Sequence, residues 1–243
     1  MQQNLTSGSV FQNVVRFSLP YLLSYFLQTL YGMADLFIVG QFEPVAATTA
    51  VSIGSQVMHM LTVMLVGLAM GTTVTIAQAV GAGDKKRAAR AVGNTVTLFG
   101  GISALLTVLL LLLVRRITAV MSTPAEAVDG TVRYLTICFL GIPFITAYNV
   151  LSSIFRGMGD SKSPMYFIAC ACVCNIALDY LFMGAMHLGP AGAALGTMLS
   201  QAISVLLALL AISKRGLGLP LHRSDLKPDK AVSGDILKIG FPI

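Results

Sequence analysis

Charged side chains are scarce in this sequence. Asp, Glu, Lys and Arg make up 11% of its 243 residues, whereas 56% are hydrophobic and the mean hydropathy is +0.81. A soluble domain carries about 25% charged residues, so the composition excludes that class. Apolar runs of about 20 residues recur along the chain, as in helical membrane proteins. We therefore expect an all-α, polytopic membrane protein embedded in a lipid bilayer.

The sequence also lacks the features of several functional classes. Residues 1–13 contain no Lys or Arg, and the apolar run after them is longer than a signal-peptide core, so we expect no cleavable signal peptide. No H-E-x-x-H motif and no nucleophile-and-base motif occurs, which argues against an intramembrane enzyme. The net charge of +6 lies in short loops between apolar runs, which indicates membrane topology rather than nucleic-acid binding.

Cysteine is rare too, with four residues in all. Cys138 stands alone, and Cys170, Cys172 and Cys174 form a C-x-C-x-C pattern within an apolar run. On a helix, Cys170 and Cys172 point to different faces, and a metal site usually needs a turn and a polar surrounding shell. We interpret the three as small packing residues, and we expect no cofactor and no metal site there.

Six membrane spans are predicted from hydropathy, at residues 14–39, 51–80, 95–114, 132–155, 164–183 and 193–212. They form a six-helix unit over residues 1–213, which a basic cytoplasmic linker at 214–235 follows. Residues 236–243 then repeat the pattern of residues 14–21: apolar, apolar, basic, apolar, small, apolar, Pro, apolar. Parallel repeats are a known plan among transporters. We expect residues 236–243 to begin a seventh helix, and the chain to be the first half of a longer protein.

The distribution of Lys and Arg predicts the orientation of these spans. With the N-terminus in the cytoplasm, 13 basic residues lie on the inner side and three, Arg115, Arg116 and Arg133, on the outer side. Short cytoplasmic loops of membrane proteins carry such an excess. The prediction is a multi-pass protein of the cell membrane with a cytoplasmic N-terminus.

Four of the spans carry polar residues at helical spacing along one face. Such faces line a bundle interior or a water-filled cavity, although a few polar groups also serve to hold helices together. We expect a hydrated interior here. A single histidine such as His59 is more often a buried hydrogen-bonding residue than a proton carrier. The candidate cavity-lining residues are Gln28, Tyr31, Gln56, His59 and Gln201.

Two acids, Asp35 and Asp179, lie inside apolar runs. A carboxylate at membrane depth costs several kcal/mol even on lenient scales, so each requires a role. Asn175 lies four residues before Asp179 and shares its helix face. Asp35, Asp179 and Thr197 are each four residues from the outer end of a predicted span, about 6 Å below that boundary. Asn149 lies deeper and fits this level less well.

Proline and glycine mark two further positions. Pro20 lies in span 1, 15 residues before Asp35, where it removes a backbone hydrogen bond and kinks or weakens the helix. A tolerated kink and a hinge that moves the Asp35 segment both agree with the sequence. Gly192 and Gly196 form a small-xxx-small face, which predicts close helix packing at the start of span 6.

Several of these residues lie in motifs of a known family. The motifs are Met33-Ala34-Asp35, Gly81-Ala82-Gly83-Asp84, Phe155-Arg156-Gly157-Met158-Gly159-Asp160-Ser161-Lys162-Ser163-Pro164-Met165, the pair Asn175 and Asp179, and Gly192-Ala193-Ala194-Leu195-Gly196-Thr197. The stretch 155–197 is specific rather than compositional. With these motifs, the chain resembles the N-terminal lobe of the multidrug and toxic compound extrusion (MATE) transporters over residues 14–213.

The resemblance implies a six-transmembrane-helix bundle, one lobe of a 12-helix transporter that exports organic, often cationic compounds by alternating access. It also implies that Na⁺ or H⁺ drives export. The partners that follow from it are the bilayer, an organic cation or drug as substrate, and a C-terminal lobe outside this chain. Pro20 matches a proline whose bending has been proposed to take part in coupling. The implied coupling-ion ligands are Asp35, Asn175, Asp179 and Thr197, with Asn149 as a weaker candidate.

Alternatives stay open at this point. A flippase for lipid-linked sugars or polysaccharides, from the same superfamily, would have a more basic cavity than these acidic stripes. A non-transporting membrane fragment or scaffold would tolerate neutralisation of both acids. The coupling ion is open as well, because carboxylate, amide and hydroxyl oxygens suit Na⁺, and two nearby carboxylates can also carry a proton.

Overall fold

A computed structural model describes residues 9–220, 222–227 and 229–241. The regular structure in these ranges is helical, without a strand. Short 3₁₀ turns occur at Ala125–Ala127 and Arg223–Leu226, and a π-helical turn spans Tyr180–Ala185. The helices are α1 (Val10–Phe42), α2 (Val45–Gly81), α3 (Lys85–Val120), α4 (Val128–Leu140), α5 (Ile142–Gly157), α6 (Lys162–Asp179), α7 (Pro190–Arg215) and α8 (Lys230–Gly240).

The long helices extend beyond the apolar runs that predicted them. The clearest case is α3, which begins at Lys85, ten residues before the predicted start of span 3. The Asp84 carboxylate accepts a hydrogen bond from the Arg87 backbone N–H and caps this end. At 36 residues, α3 is about 54 Å long and exceeds the roughly 30 Å hydrocarbon core. Its basic first turns therefore continue the helix outside the membrane.

The span predicted at 132–155 is broken in two. Helices α4 and α5 meet at Gly141 with a bend of 47°. Pro143 lies in the first turn of α5, where its missing N–H costs nothing, and the buried Gly141 lies against the Met198 side chain so closely that a Cβ would collide with it. Counting this bent pair as one span, the described chain has six helical segments long and apolar enough to cross a membrane.

The span predicted at 164–183 changes its helical form near its C-terminal end. Helix α6 ends at Asp179, and the backbone continues as the wider π turn. The Tyr180 ring stacks edge-on against Phe42 with 5.8 Å between ring centroids, which joins the turn to the C-terminal end of α1. A π-helical turn is rare and often lies beside a functional residue. Here the turn begins directly after Asp179, one of the predicted site residues.

The helices pack around two main apolar clusters. One lies among α1, α2, α4 and α7 and contains Ile38, Leu135 and Phe139; the other includes Ile76, Phe99 and Ile154 on α2, α3 and α5. Helix α6 packs against both α1 and α7. This arrangement brings the three helices that carry Asp35, Asp179 and Thr197 side by side.

The linker is packed rather than free where the structure describes it. Asn94 on α3 accepts a hydrogen bond from the Asp229 backbone N–H and donates to the Asp225 carbonyl oxygen. Helix α8 begins at Lys230, six residues before the start expected for the seventh helix, because Asp229 caps it by accepting from Ala231 N–H. It then crosses α2 at Gly71, where a Cβ would collide with the Ile236 carbonyl oxygen. Pro242 and Ile243 of the repeated pattern lie outside the described residues.

Candidate functional site

Asp35 on α1 and Thr197 on α7 are joined directly. The Thr197 hydroxyl donates a 3.0 Å hydrogen bond to Oδ2 of Asp35, whose side chain is 3% exposed. The other carboxylate oxygen, Oδ1, is buried without a hydrogen-bond partner. Because the two residues are 162 positions apart in the chain, this contact depends entirely on how α1 and α7 pack.

Asn175 and Asp179 lie one turn apart on α6, and both are fully buried. Neither oxygen of Asp179 has a hydrogen-bond partner, and neither the nitrogen nor the oxygen of the Asn175 amide has one. Gly196 of α7 faces them: a Cβ there would collide with Asp179 Oδ1 and lie 3.5 Å from Asn175 Nδ2. The absence of a side chain at Gly196 therefore makes room for the Asp179 carboxylate.

The two acids face each other across the α1–α6 contact. Asp35 lies close enough to interact with the side chains of Asp179 and Asn175. Five buried polar atoms of these three side chains have no hydrogen-bond partner. A buried carboxylate is stable only when it is paired, protonated or bound to a cation. The cluster therefore offers carboxylate, amide and hydroxyl oxygens for a hard cation, or a pair of carboxylates for a proton.

The hydroxyls of Tyr31 and Ser200 both donate to the backbone carbonyl of Thr197. The Tyr31 hydroxyl donates to the Thr197 carbonyl oxygen at 3.0 Å and lies 2.6 Å from the Ser200 hydroxyl, which donates to the same carbonyl at 2.8 Å. Tyr31, expected as a cavity-lining residue, is buried in this network. Ser200 was missed by the sequence reasoning. It lies three residues after Thr197, and this helical spacing was the available signal.

The other candidates lie apart from this cluster. Asn149 on α5 is buried, but its amide nitrogen donates to the Ile145 carbonyl oxygen of its own helix and it makes no hydrogen bond to either acid. Gln56 and His59 are exposed on α2, and Gln28 is half-buried on α1. Gln201 is half-buried on α7, and its side-chain oxygen is buried without a partner.

Pro20 lies between two differently packed parts of α1. No residue from Val10 to Leu23 is buried, whereas Ser24, Tyr31 and Asp35 beyond it are. Next to the proline, the Tyr21 ring contacts the Arg156 guanidinium of α5, whose central carbon lies 5.1 Å from the ring centroid. A cation–π contact of this kind contributes about 1 kcal/mol. The N-terminal part of α1 thus packs less closely against the rest of the lobe than the part that carries Asp35.

The cysteines make no metal site in the described part of the chain, which contains no group of three or more His, Cys, Asp or Glu placed to hold a metal. All four are free thiols. Cys138 and Cys172 are buried, Cys174 is half-buried and Cys170 is exposed on α6. The packing role expected for the C-x-C-x-C residues thus fits the buried Cys172 but not the exposed Cys170.

Comparison with known proteins agrees with this geometry. The profile of the MatE family matches residues 20–181. Among curated relatives, the chain is 32% identical to the probable multidrug resistance protein YpnP of Bacillus subtilis over 98% of this chain and 53% of that protein, and 30% identical to the probable multidrug resistance protein NorM of Thermotoga maritima over 95% and 50%. The chain thus spans about half the length of the curated relatives it matches.

Solved structures show the same relation. A MATE transporter crystallised in the bent conformation superposes with a TM-score of 0.90 at 27% identity, over 97% of this chain and 52% of that one. A transporter of the MOP superfamily from Pyrococcus furiosus gives a TM-score of 0.88 at 29% identity, over the same two shares. The chain is a multi-pass membrane protein that belongs to the MatE family and corresponds to an N-terminal lobe of a multidrug and toxic compound extrusion transporter.

Proposed function

We propose that this chain forms one lobe of a cation-coupled antiporter that exports organic, often cationic compounds by alternating access. The observation that supports it best is the pair of buried carboxylates, Asp35 and Asp179, with unpaired oxygens facing each other between α1 and α6. The relatives are named as multidrug resistance or multidrug export proteins. In this proposal the N-terminus is cytoplasmic, and Asp35, Asp179, Asn175 and Thr197 bind the coupling ion.

The two acids connect ion binding to helix movement through electrostatic repulsion. At an effective dielectric constant of about 20, two unit charges in close proximity repel by about 3–4 kcal/mol. A bound Na⁺ or a shared proton removes that repulsion and holds α1 against α6. Loss of the ion favours separation of the two helices. A difference of about 3 kcal/mol shifts a two-state equilibrium by roughly two orders of magnitude, for example from about 1:10 to about 10:1.

Pro20 divides α1 into a part that carries Asp35 and an inner part that packs loosely. Separation at Asp35 therefore changes the angle of α1 without unfolding it, because the helix already lacks one backbone hydrogen bond at this point. Thr197 also responds to the ion in this proposal, because its hydroxyl donates a hydrogen bond to Asp35. In this scheme the binding of the ion changes the packing of α1 and thereby competes with the binding of the substrate.

The test uses the full-length transporter that contains this lobe, reconstituted in vesicles with an imposed Na⁺ gradient or pH gradient. We expect Asp35→Asn and Asp179→Asn each to abolish ion-driven efflux of a cationic dye, because a neutral amide cannot compensate the ion charge. Glu126→Gln, which removes an exposed acid far along the chain from the cluster, is the matched control. Undiminished coupled efflux in both Asp variants would contradict the assignment. The gradient that drives wild-type efflux identifies the coupling ion.

A further inference from the structure

A second polar feature lies at the outer ends of α1 and α2. A cleft of about 480 Å³ opens between these helices. One acid, Glu43, lines it together with hydroxyl groups and apolar side chains. Asp35 is two helical turns away on α1 and does not line the cleft, so this feature is separate from the acid pair. The side chains used below are those of Glu43, Val45, Thr48, Thr49, Ser52 and Ile53.

The Glu43 backbone is fixed at the end of α1, and its carboxylate is not neutralised. Its backbone is extended, with φ −122° and ψ 153°, as the following Pro44 requires, and its N–H caps α1 by donating to the Val39 carbonyl oxygen. The carboxylate packs over Gly189, where a Cβ would lie 3.6 Å from it. The half-buried Glu43 makes no ion pair with any described Lys, Arg or His. Exposed His187, two residues from Gly189, is the nearest basic residue along that loop.

The α2 side of the cleft is polar. Thr48, Thr49 and Ser52 are half-buried in the first turns of α2. Thr48 donates a long 3.5 Å hydrogen bond to the Pro44 carbonyl oxygen, and the hydroxyls of Thr49 and Ser52 make no hydrogen bond within the described chain. A carboxylate and hydroxyl groups are costly against lipid tails. Most of the exposed lining is apolar, with Val45 and Ile53 along one wall, and Glu43 and the hydroxyl groups form a smaller polar part.

We propose that this cleft binds a monovalent organic cation at the outer side of the lobe, as a station that the exported compound occupies before release. One carboxylate matches one positive charge, the hydroxyls accept hydrogen bonds from an ammonium group, and the apolar wall contacts the hydrophobic body. A volume of about 480 Å³ lies in the range of small-molecule sites. This inference rests on the proposed export function and extends it to a second binding site with a stated charge preference.

The experiment compares two probes of similar shape and different charge, tetraphenylphosphonium and the neutral triphenylphosphine oxide. Binding of each to the purified full-length transporter is measured by calorimetry in detergent, without any ion gradient. Because a charge pair near the surface contributes about 0.2–1 kcal/mol, we expect Glu43→Gln to weaken tetraphenylphosphonium binding about 1.5- to 5-fold and to leave binding of the oxide unchanged. Glu43→Asp keeps the charge and should retain most of the affinity.

The matched control is Glu126→Gln, which removes an acid outside the cleft and should change neither affinity. Equal weakening of both probes in Glu43→Gln would overturn the proposal, because it would indicate a change of shape rather than of charge. Unchanged tetraphenylphosphonium binding would overturn it as well. Neither result bears on Asp35 and Asp179, whose test is ion-driven efflux, so a failure of this site and a failure of the export proposal are distinguishable.

Discussion

Substitution of Gly196 by alanine tests whether the geometry at Asp179 determines ion binding. The new methyl group would collide with Asp179 Oδ1, lie 3.3 Å from the carboxyl carbon and reach the Asn175 amide nitrogen at 3.5 Å. Both polar side chains are fully buried, so neither can swing out into solvent. The collision must therefore displace the carboxylate within the interior or separate α7 from α6.

The magnitude follows from the cost of overpacking. Extra atoms in a packed interior cost about 1–3 kcal/mol, whereas alanine in place of glycine stabilises a helix by about 1 kcal/mol. The net loss of stability is therefore about 0–2 kcal/mol. The loss at the ion site is not offset in this way, since the carboxylate itself is displaced. We expect the affinity for the coupling ion to fall about 5- to 150-fold, which corresponds to 1–3 kcal/mol.

The assay is the ion concentration that gives half-maximal efflux in the full-length transporter, together with its thermal midpoint. Gly192→Ala is the matched control: it lies one turn earlier on α7, and its Cβ would meet the side chains of Phe182, Leu188 and Met183 at 3.1–3.2 Å. We expect it to lower stability without changing the ion requirement. A folded Gly196→Ala transporter with an unchanged ion requirement would refute the reasoning.

Two further predictions concern the hydrogen bonds around the lobe. Thr197→Val removes the hydroxyl that donates to Asp35. Because a hydrogen bond to a charged group contributes about 1.5–3 kcal/mol, the affinity for the coupling ion should fall about 10- to 150-fold. Thr197→Ser keeps the hydroxyl, and its ion affinity should stay within a few-fold of wild type. Asn94→Ala removes the side chain that holds the linker, at a cost of about 1–3 kcal/mol, so limited trypsin digestion at the exposed Lys230 should become at least several-fold faster.

Each of these has its own contrary outcome. Equal ion affinities of the Val and Ser variants at position 197 would show that the hydroxyl is not a ligand or a support. For the linker, Thr136→Ala serves as the control, because it removes a hydrogen bond within α4 and leaves the linker contacts intact. Trypsin cleavage at the same rate in Asn94→Ala and wild type would mean that other contacts hold the linker.

The general architecture could be predicted from hydropathy and spacing. Apolar runs placed the helices to within a few residues at most ends, because a backbone in lipid must satisfy its hydrogen bonds within each helix. Pro143 indicated that the helix of span 4 could break or begin late, but the place and angle of the bend depend on Met198 packing against Gly141 from another helix. The π turn after Asp179 was missed, because the apolar run continues through it. Hydropathy reports the polarity of a segment and not its curvature.

The candidate site divides in the same way. Asn175 and Asp179 share a helix face by spacing alone, and the cost of a carboxylate in lipid was sufficient to single out Asp35 and Asp179. Neither argument predicts that Asp35 lies close to Asp179 and Thr197 in the folded lobe. Asp35 contacts Thr197 from 162 residues away, and Asn149, grouped with them by resemblance, hydrogen-bonds within its own helix instead.

By itself, the sequence determined what is local in this protein: which segments are helical and apolar, which polar residues share one face, and which acids are too costly to lie in lipid without a role. Only the tertiary structure decided which faces meet. It placed Gly196 against Asp179, Tyr31 and Ser200 beneath Thr197, and Asn94 against the linker. The physical reason is that helix pairing in lipid depends on close packing between surfaces far apart in the chain, and neither hydropathy nor spacing within one helix records it.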